Sequence, residues 1–233
     1  GETPLKPNDE LSFSANLLYM LTGKEPPASH ERATEVSLIL YAEHEFNAST
    51  FTARVVTSTM SDLYSSIAAA VGALKGPLHG GANERVMEVL EEVGTAGRAE
   101  SWVRDALANK ERIMGFGHRV YKTGDPRAVI LKQYCAELAE ETGQTELEEI
   151  ANTIENIVVA EKGLPPNLDW PSARLYHYMG LEVELYTPLF VVSRVLGWAA
   201  HVIEQTENNR LIRPRSKYKG PKRREFTPLV ERG

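Results

Sequence analysis

From Asp62 to Lys75 the chain is apolar or small on nearly every side, with Ala68, Ala69, Ala70, Gly72 and Ala73 in one run. A helix of that kind has no face to offer water. It needs partners all round, and its small side chains let neighbouring axes approach closely. The segment therefore belongs in a helical bundle or at an interface between subunits. The rest of the chain supplies helices to match, since no convincing stretch of strict apolar–polar alternation occurs. Leu11 to Leu21 is apolar-rich and stops at Gly23, with Pro26 and Pro27 beyond it. Ser29 is the cap expected for a second helix, whose Val36, Leu38, Ile39 and Leu40 give a buried face ending near His44. Val86, Val89, Leu90 and Val93 form a stripe from Asn83 to Val93, and Ala99 to Asn109 follows. Asp125 ahead of Pro126 is a start signal for a helix running to about Thr142 and closing at Gly143. Glu146 to Lys162 is acidic at its start, as the backbone dipole prefers. Thr187 and Pro188 repeat the start signal before a very apolar helix reaching about Glu204. From Arg210 the chain is basic and proline-punctuated, hence irregular. The fold class is all-α, built from packed helices.

With 233 residues the chain can bury one large core or two smaller ones. A net charge of −6 argues against a nucleic-acid-binding body, which needs a basic excess. The single cysteine, Cys135, cannot form an internal disulfide, which fits a reducing cytoplasm; its helical setting makes it a small, inert residue. No apolar run reads as long enough to cross a membrane, and no secretory signal is visible. Gly1 to Asp9 reads as a polar connection into the first helix, as in a processed N-terminus or a piece of a longer protein.

The turns hold the chemistry. Gly76 to Asn83 (GPLHGGAN) sets His79 between glycines just before a helix. Unpaired N–H groups and the positive end of the dipole there disfavour an imidazolium, leaving a neutral ring able to donate to a developing enolate. A plain loop or capping histidine is the equal alternative. Met114 to His118 (MGFGH) repeats the theme and is followed by Arg119, Tyr121, Lys122 and Arg127. Glycine-rich backbone beside several cations suits an anionic ligand, against the alternative of a solvated surface loop. Pro165 to Ser172 (PPNLDWPS) places Asp169 in a proline-stiffened loop beside Trp170. There lost hydration would raise its pKa toward that of a useful base; an ordinary turn aspartate is the commoner case. His44 opens a polar cluster with Glu45, Asn47, Ser49 and Thr50, and Arg194 sits inside an apolar helix, where a guanidinium needs an anionic partner. His30, His177 and His201 have no such setting and read as structural or surface residues. No spacing suggests a metal site.

In order and wording these segments resemble the citrate synthase family. The resemblance is carried by His44 to Arg54 (HEFNASTFTAR), Gly76 to Asn83, Gly115 to Arg127 (GFGHRVYKTGDPR), Asn167 to Ser172 (NLDWPS) and Ile212 to Ser216 (IRPRS). It runs the length of the chain and is strongest toward the bacterial citrate synthase and 2-methylcitrate synthase members. It implies the family's two-domain helical fold, with residues 1–79 and 176–233 in the large domain and 80–175 in the small one. The family's N-terminal helical portion has no counterpart here. By that resemblance Asp169 is the base that removes the α-proton of an acyl-CoA thioester, His79 stabilises the enol and His118 donates to the ketone oxygen of oxaloacetate. His44, Arg127 and Arg194 hold the oxaloacetate carboxylates, and Arg213 reaches the neighbouring site of a homodimer, with Asp62 to Lys75 as the interface helix. Ser49, with Asn47 beside it, orients His79. Met114, Gly115, Phe116, Gly117 and Lys122 belong to a CoA-binding loop. CoA enters as a co-substrate thioester, with no metal and no covalently bound cofactor, and no nucleic-acid or membrane partner is implied. Asn167 to Ala173 and Thr187 to Gln205 lean toward 2-methylcitrate synthase, which uses propionyl-CoA where citrate synthase uses acetyl-CoA. A reading of another class is an inactive fragment that serves only as a dimerising module.

Overall fold

The computed structural model describes residues 3–232; Gly1, Glu2 and Gly233 lie outside it. Its α-helices are α1 (Phe13–Thr22), α2 (Ala28–Ala42), α3 (Ala48–Ser58), α4 (Leu63–Leu74), α5 (Ala82–Val93), α6 (Ala96–Ala108), α7 (Pro126–Thr142), α8 (Thr145–Lys162), α9 (Asp169–Tyr178) and α10 (Tyr186–Glu207). No strand occurs among the described residues, only an isolated antiparallel bridge between Phe116 and Pro166.

Several helix ends fall where their caps dictate. Ser12 accepts from the Ala15 N–H ahead of α1 and Asp62 from that of Ser65 ahead of α4, while Asp125 with Pro126 opens α7. Gly23, Gly143 and Gly163 close α1, α7 and α8. Other expectations are corrected. Ser29 does not cap α2, which starts at Ala28 behind Pro27; its hydroxyl donates instead to Glu141 on α7. α6 opens at Ala96, three residues before the expected start. A single 3₁₀ turn at Val183–Leu185 leads into α10, so Thr187 lies within the first turn of α10. There its N–H donates to Glu84 and its hydroxyl to the Gly80 carbonyl. Two helices go beyond the expectation, α9, whose start reads as a proline-stiffened loop, and α3, where only a polar cluster is read, and both carry residues of the site.

The helices form two packed groups. α1 to α4 gather with α10, α5 to α9 pack on one another, and contacts of α2 with α7 and of α5 with α10 join the groups. α10 is the axis of the first group. By length and composition Val183–Glu207 could cross a bilayer, contrary to the expectation that no run is long enough. The fold uses it as a core helix, packed on α2, α3, α4 and α5 with Leu189, Phe190, Trp198 and Val202 buried. α4 buries Ser66, Ala70 and Leu74 against α3 and α10, yet Tyr64 is 84% exposed and Leu63 and Val71 also face outward. One chain therefore gives this helix partners on one side only.

Candidate active site

A cleft of about 620 Å³ lies where the two groups meet. Among its lining residues are His44, Asn47, His79, His118, Arg127, Asp169 and Arg194, drawn from six separate segments of sequence. Ser49 is buried just behind this wall. Arg213 is not part of the cleft; it lies exposed in the extended tail, its guanidinium on the Pro214 carbonyl. Met114, Gly115, Phe116, Gly117 and Lys122 do not line it either.

His79 is placed by a tight turn in which its N–H donates to the Gly76 carbonyl and that of Gly80 to Leu74. Gly80 permits the turn, since a Cβ there would collide with the side chain and carbonyl of Leu74. The helix N-terminus that the imidazole meets belongs to α3. Nε2 lies 2.8 Å from Ser49 Oγ and accepts from the Ser49 backbone N–H at 3.4 Å. With Nε2 as acceptor, the ring proton belongs on Nδ1. Burial, followed by the charge of Arg194, lowers the pKa of His79 to about 4, so the ring is neutral at any physiological pH.

His118 has the opposite tautomer. Its Nδ1 accepts from the N–H groups of Val120 and Tyr121 at 3.0 and 3.3 Å, which leaves Nε2 to carry the proton. Burial, then His44 and Arg127, depress its pKa. Its loop is laced to the one preceding α9: Gly117 N–H donates to the Pro165 carbonyl, Asn167 N–H to that of Gly115, and the Asn167 amide to that of Gly117. Gly115 adopts φ 88° and sits so close beneath Trp170 that a Cβ would lie 2.9 Å from the indole. Phe116 also packs on Trp170 at a tilt of 50°, with centroids 4.5 Å apart. Gly115 and Phe116 therefore shape the loop from below, and Lys122, donating to the His118 carbonyl, is an exposed cation beside it, as is Arg119.

Asp169 is the first residue of α9 and not part of a loop. The dipole of its own helix favours the carboxylate, yet burial pushes its pKa up to about 6. The phenol of Tyr41, donating to Oδ1 at 2.7 Å, and the charges of Arg127 and Arg194 restrain the rise. A carboxyl near 6 is ionised at neutral pH but basic enough to take a proton.

The anion-binding part is equally specific. Arg127 makes a forked pair with Asp125, at 3.0 and 2.8 Å. Arg194 is 2% exposed and donates through Nε to the Tyr41 carbonyl, with no carboxylate partner among the described residues. Burial and the like charge of Arg127 bring its pKa down to about 10, so it is still cationic. His44 Nε2 is buried with no hydrogen-bond partner, and the His44 ring lies 4.9 Å from that of His118. An unpaired guanidinium and an unpartnered imidazole nitrogen, converging on one cleft beside Arg127, fit a ligand with more than one carboxylate. No group of three or more His, Cys, Asp or Glu among the described residues is placed to hold a metal ion.

Sequence reasoning passed over three contributors. Tyr41 and Trp198 sit in apolar runs and read as core, and they are core; only their polar ends, on Asp169 and Ser49, reach the site. His201 read as structural, and the structure shows what it holds. It bridges Glu43, next to His44, and Arg54 of α3.

The family model for the C-terminal domain of citrate synthase matches residues 1–215. The chain belongs to the citrate synthase family. Citrate synthase 2 of Bacillus subtilis is 53% identical over 232 residues, covering all of this chain and 62% of that protein. The 2-methylcitrate synthase 2 of Corynebacterium glutamicum is 49% identical over 233 residues, 98% of this chain and 61% of that protein. Among solved structures, the citrate synthase of Thermoplasma acidophilum, in a ternary complex with carboxymethyl coenzyme A and oxaloacetate, has 43% identity and a TM-score of 0.91. That match covers 99% of this chain and 62% of that one. The chain thus spans a little over three fifths of the length of these citrate synthase family members. Members of both branches match at similar identity, so similarity alone does not separate the two acyl groups.

Proposed function

We propose that this chain carries the catalytic portion of an enzyme condensing an acyl-CoA thioester with oxaloacetate, as in citrate synthase. The observation that carries the reading is the cleft itself. It sets a carboxylate with a pKa near 6 and two imidazoles of opposite tautomer beside the buried, unpaired guanidinium of Arg194 and the unpartnered ring nitrogen of His44. Asp169 takes the thioester α-proton. His79 donates through Nδ1–H to the thioester oxygen, where charge develops, and this donation makes the weakly acidic carbon accessible to a carboxylate base. The enolate carbon forms a bond to the ketone carbon of oxaloacetate as the C=O π bond breaks and His118 supplies a proton from Nε2 to the ketone oxygen. The proton taken up by Asp169 is returned through solvent to His118, so that both groups regain their starting state. Arg194, Arg127 and His44 hold the two carboxylates and so fix the face of attack. Water then cleaves the thioester, releasing CoA and the tricarboxylate. CoA is a co-substrate in this scheme, with Met114 to Gly117 and Lys122 as its loop, and no metal or covalently bound cofactor takes part.

Acetyl-CoA is the substrate we favour, giving citrate; the similarity to a 2-methylcitrate synthase supports propionyl-CoA as the second reading. One methylene is worth only about 1–3 kcal/mol in a pocket, so turnover of both is expected and the ratio of kcat/KM values ranks them. The same reading makes residues 80–175 a smaller domain closing on the rest. It also makes the outward face of α4 the seat of a second copy, with Arg213 serving the neighbouring site, and places the protein in the cytoplasm. The test is oxaloacetate-dependent CoA release by this chain and by Asp169→Asn. Release that depends on Asp169 supports the scheme. Equal release by both ends the catalytic assignment, and dimers without release favour a purely dimerising module.

A further inference from the structure

We infer that His201 is a positioning residue that pins the turn between α2 and α3 and so aims His44 into the cleft. The inference rests on the role proposed for His44 and extends it to a residue outside the lining of the cleft.

The turn runs from Glu43 to Asn47, and its own conformation does not secure it. Glu45 adopts φ 49°, in the left-handed region, which a side chain keeps only where the surroundings over-determine it. His44 Nε2 has no partner and gives the turn no hold. Within the turn the Asn47 amide donates to the His44 carbonyl at 3.1 Å. Two further holds come from outside, one on each side of His44, and both meet at His201. Glu43 accepts from His201 Nε2 at 3.0 Å. Phe46 meets the His201 ring in a T-shaped contact with centroids 5.5 Å apart, and its ring lies 5.0 Å from the guanidinium of Arg54.

His201 can serve both sides because its two nitrogens are committed in opposite senses. Arg54 Nη1 lies 2.8 Å from Nδ1, and a guanidinium only donates. Nδ1 therefore accepts, and the ring hydrogen belongs on Nε2, where Glu43 receives it. The same Arg54 nitrogen donates to the His201 carbonyl at 3.2 Å and to Glu204, one turn further along α10. The side chains of His201 and Arg54 are only 14% and 12% exposed, so water competes little for these bonds.

The register of α10 on α2 brings His201 to this place. Ser193 donates to the Leu38 carbonyl and Arg194 to that of Tyr41. Gly197 lets the backbone of α10 press on the end of α2, since a Cβ there would collide with the Ala42 carbonyl. With His201 these residues share one face of α10 and follow the chain in order from Leu38 to Glu43. His201 is the rung that reaches past the helix into the turn. Without it the turn can relax from its left-handed bend, and His44 faces the cleft in only part of the population. Apparent affinity for the ligand of His44 falls by that fraction.

The experiment compares His201→Leu, which removes both functions of the ring, with His201→Gln, whose amide offers an acceptor and a donor about as far apart as the two ring nitrogens. Two readings are taken on each variant and on the unmodified chain. One is the NMR cross-peaks between the rings of His44 and Tyr121, whose centroids lie 5.3 Å apart. The other is the oxaloacetate dissociation constant, measured by calorimetry. His201→Leu should lose most of the cross-peak intensity and bind oxaloacetate roughly 5-fold more weakly, the worth of about one hydrogen bond. His201→Gln should keep the cross-peaks and bind within a factor of about two of the unmodified chain. In a His44→Ala background His201→Leu should cost nothing further, whereas a merely structural part would weaken binding there as well. Should His201→Leu fail to fold, Glu43→Leu breaks the same bond from a half-exposed position and is read in the same way. Intact cross-peaks in a folded variant, or a further loss in the His44→Ala background, overturn the inference. Lost cross-peaks with unaltered oxaloacetate binding uphold the part of His201 and overturn instead the role proposed for His44.

Discussion

Two carboxylates at two helix N-termini, Asp125 and Asp169, share the neighbourhood of one cleft and titrate in opposite directions. Asp125 precedes α7, accepts from the Arg127 N–H and pairs with the Arg127 guanidinium; burial alone would raise its pKa, but these bonds hold it below the usual carboxylate range. Asp169 opens α9 with one neutral donor, the Tyr41 phenol, and burial wins. A helix N-terminus therefore does not by itself decide what an acid is for. The number and charge of its remaining partners do: a carboxylate given its own cation is held ionised, and one denied it keeps a raised pKa, as the proposed base requires.

The largest expected effect falls on the second acid. Asp169→Asn should cut CoA release by about 10³-fold, within the range for loss of a general base. Because Asp169 binds its proton more tightly in the folded chain than unfolded, keeping it ionised costs folding free energy that grows from about pH 4 to pH 6 and then levels. The Asn variant should accordingly gain on the order of 2 kcal/mol at pH 8 and nothing below pH 4, as read by urea unfolding. Equal destabilisation at both pH values would break the comparison.

Asp125→Asn should do the reverse, losing about 3 kcal/mol at pH 7 because Arg127 is left half-buried without its counter-charge. The stability that Asp125 supplies is present above the ordinary carboxylate pKa and lost as the pH falls through its depressed folded value. The difference between variant and parent should therefore close in acid. Tyr41→Phe removes the phenol that restrains Asp169, so the acid limb of the kcat–pH profile, expected near pH 6, should move up by about half a unit to one unit. An unmoved limb would assign that limb to another group. The smallest effect belongs to a third acid in the same kind of place: Asp62 caps α4 fully exposed, and Asn caps equally well. Asp62→Asn should leave the thermal midpoint unchanged, which would sharpen the point that partners, not position, separate the other two.

What the sequence revealed follows the same physics. Helix ends marked by Asp–Pro or closed by glycine were legible because the cap is written locally, as at Asp125–Pro126, Gly23 and Gly143. α3 and α9 were not. The first turn of α3 is Ala48, Ser49, Thr50, polar because it faces the site. α9 is buried on nearly every side, Arg174 included, so no apolar stripe stands out, and Pro165, Pro166 and Pro171 read as loop. Arg194 was legible because a charge in an apolar helix asks for an explanation. Tyr41 and Trp198 asked for none, since their rings satisfy the core and only a single polar atom of each does other work. The site histidines stood out through their glycines, but nothing local says which helix an imidazole will meet, and His79 met α3 across the fold instead of α5 beside it.

The lacing of Gly115 and Gly117 to Pro165 and Asn167 has a mechanical consequence. His118 and Asp169, the proton donor and acceptor of the proposed scheme, hang from one crosspiece of three hydrogen bonds, so a strain that tilts one is passed to the other. Substitutions in either loop of that crosspiece should move both side chains together, and anyone redesigning the cleft should treat the pair as a single moving part.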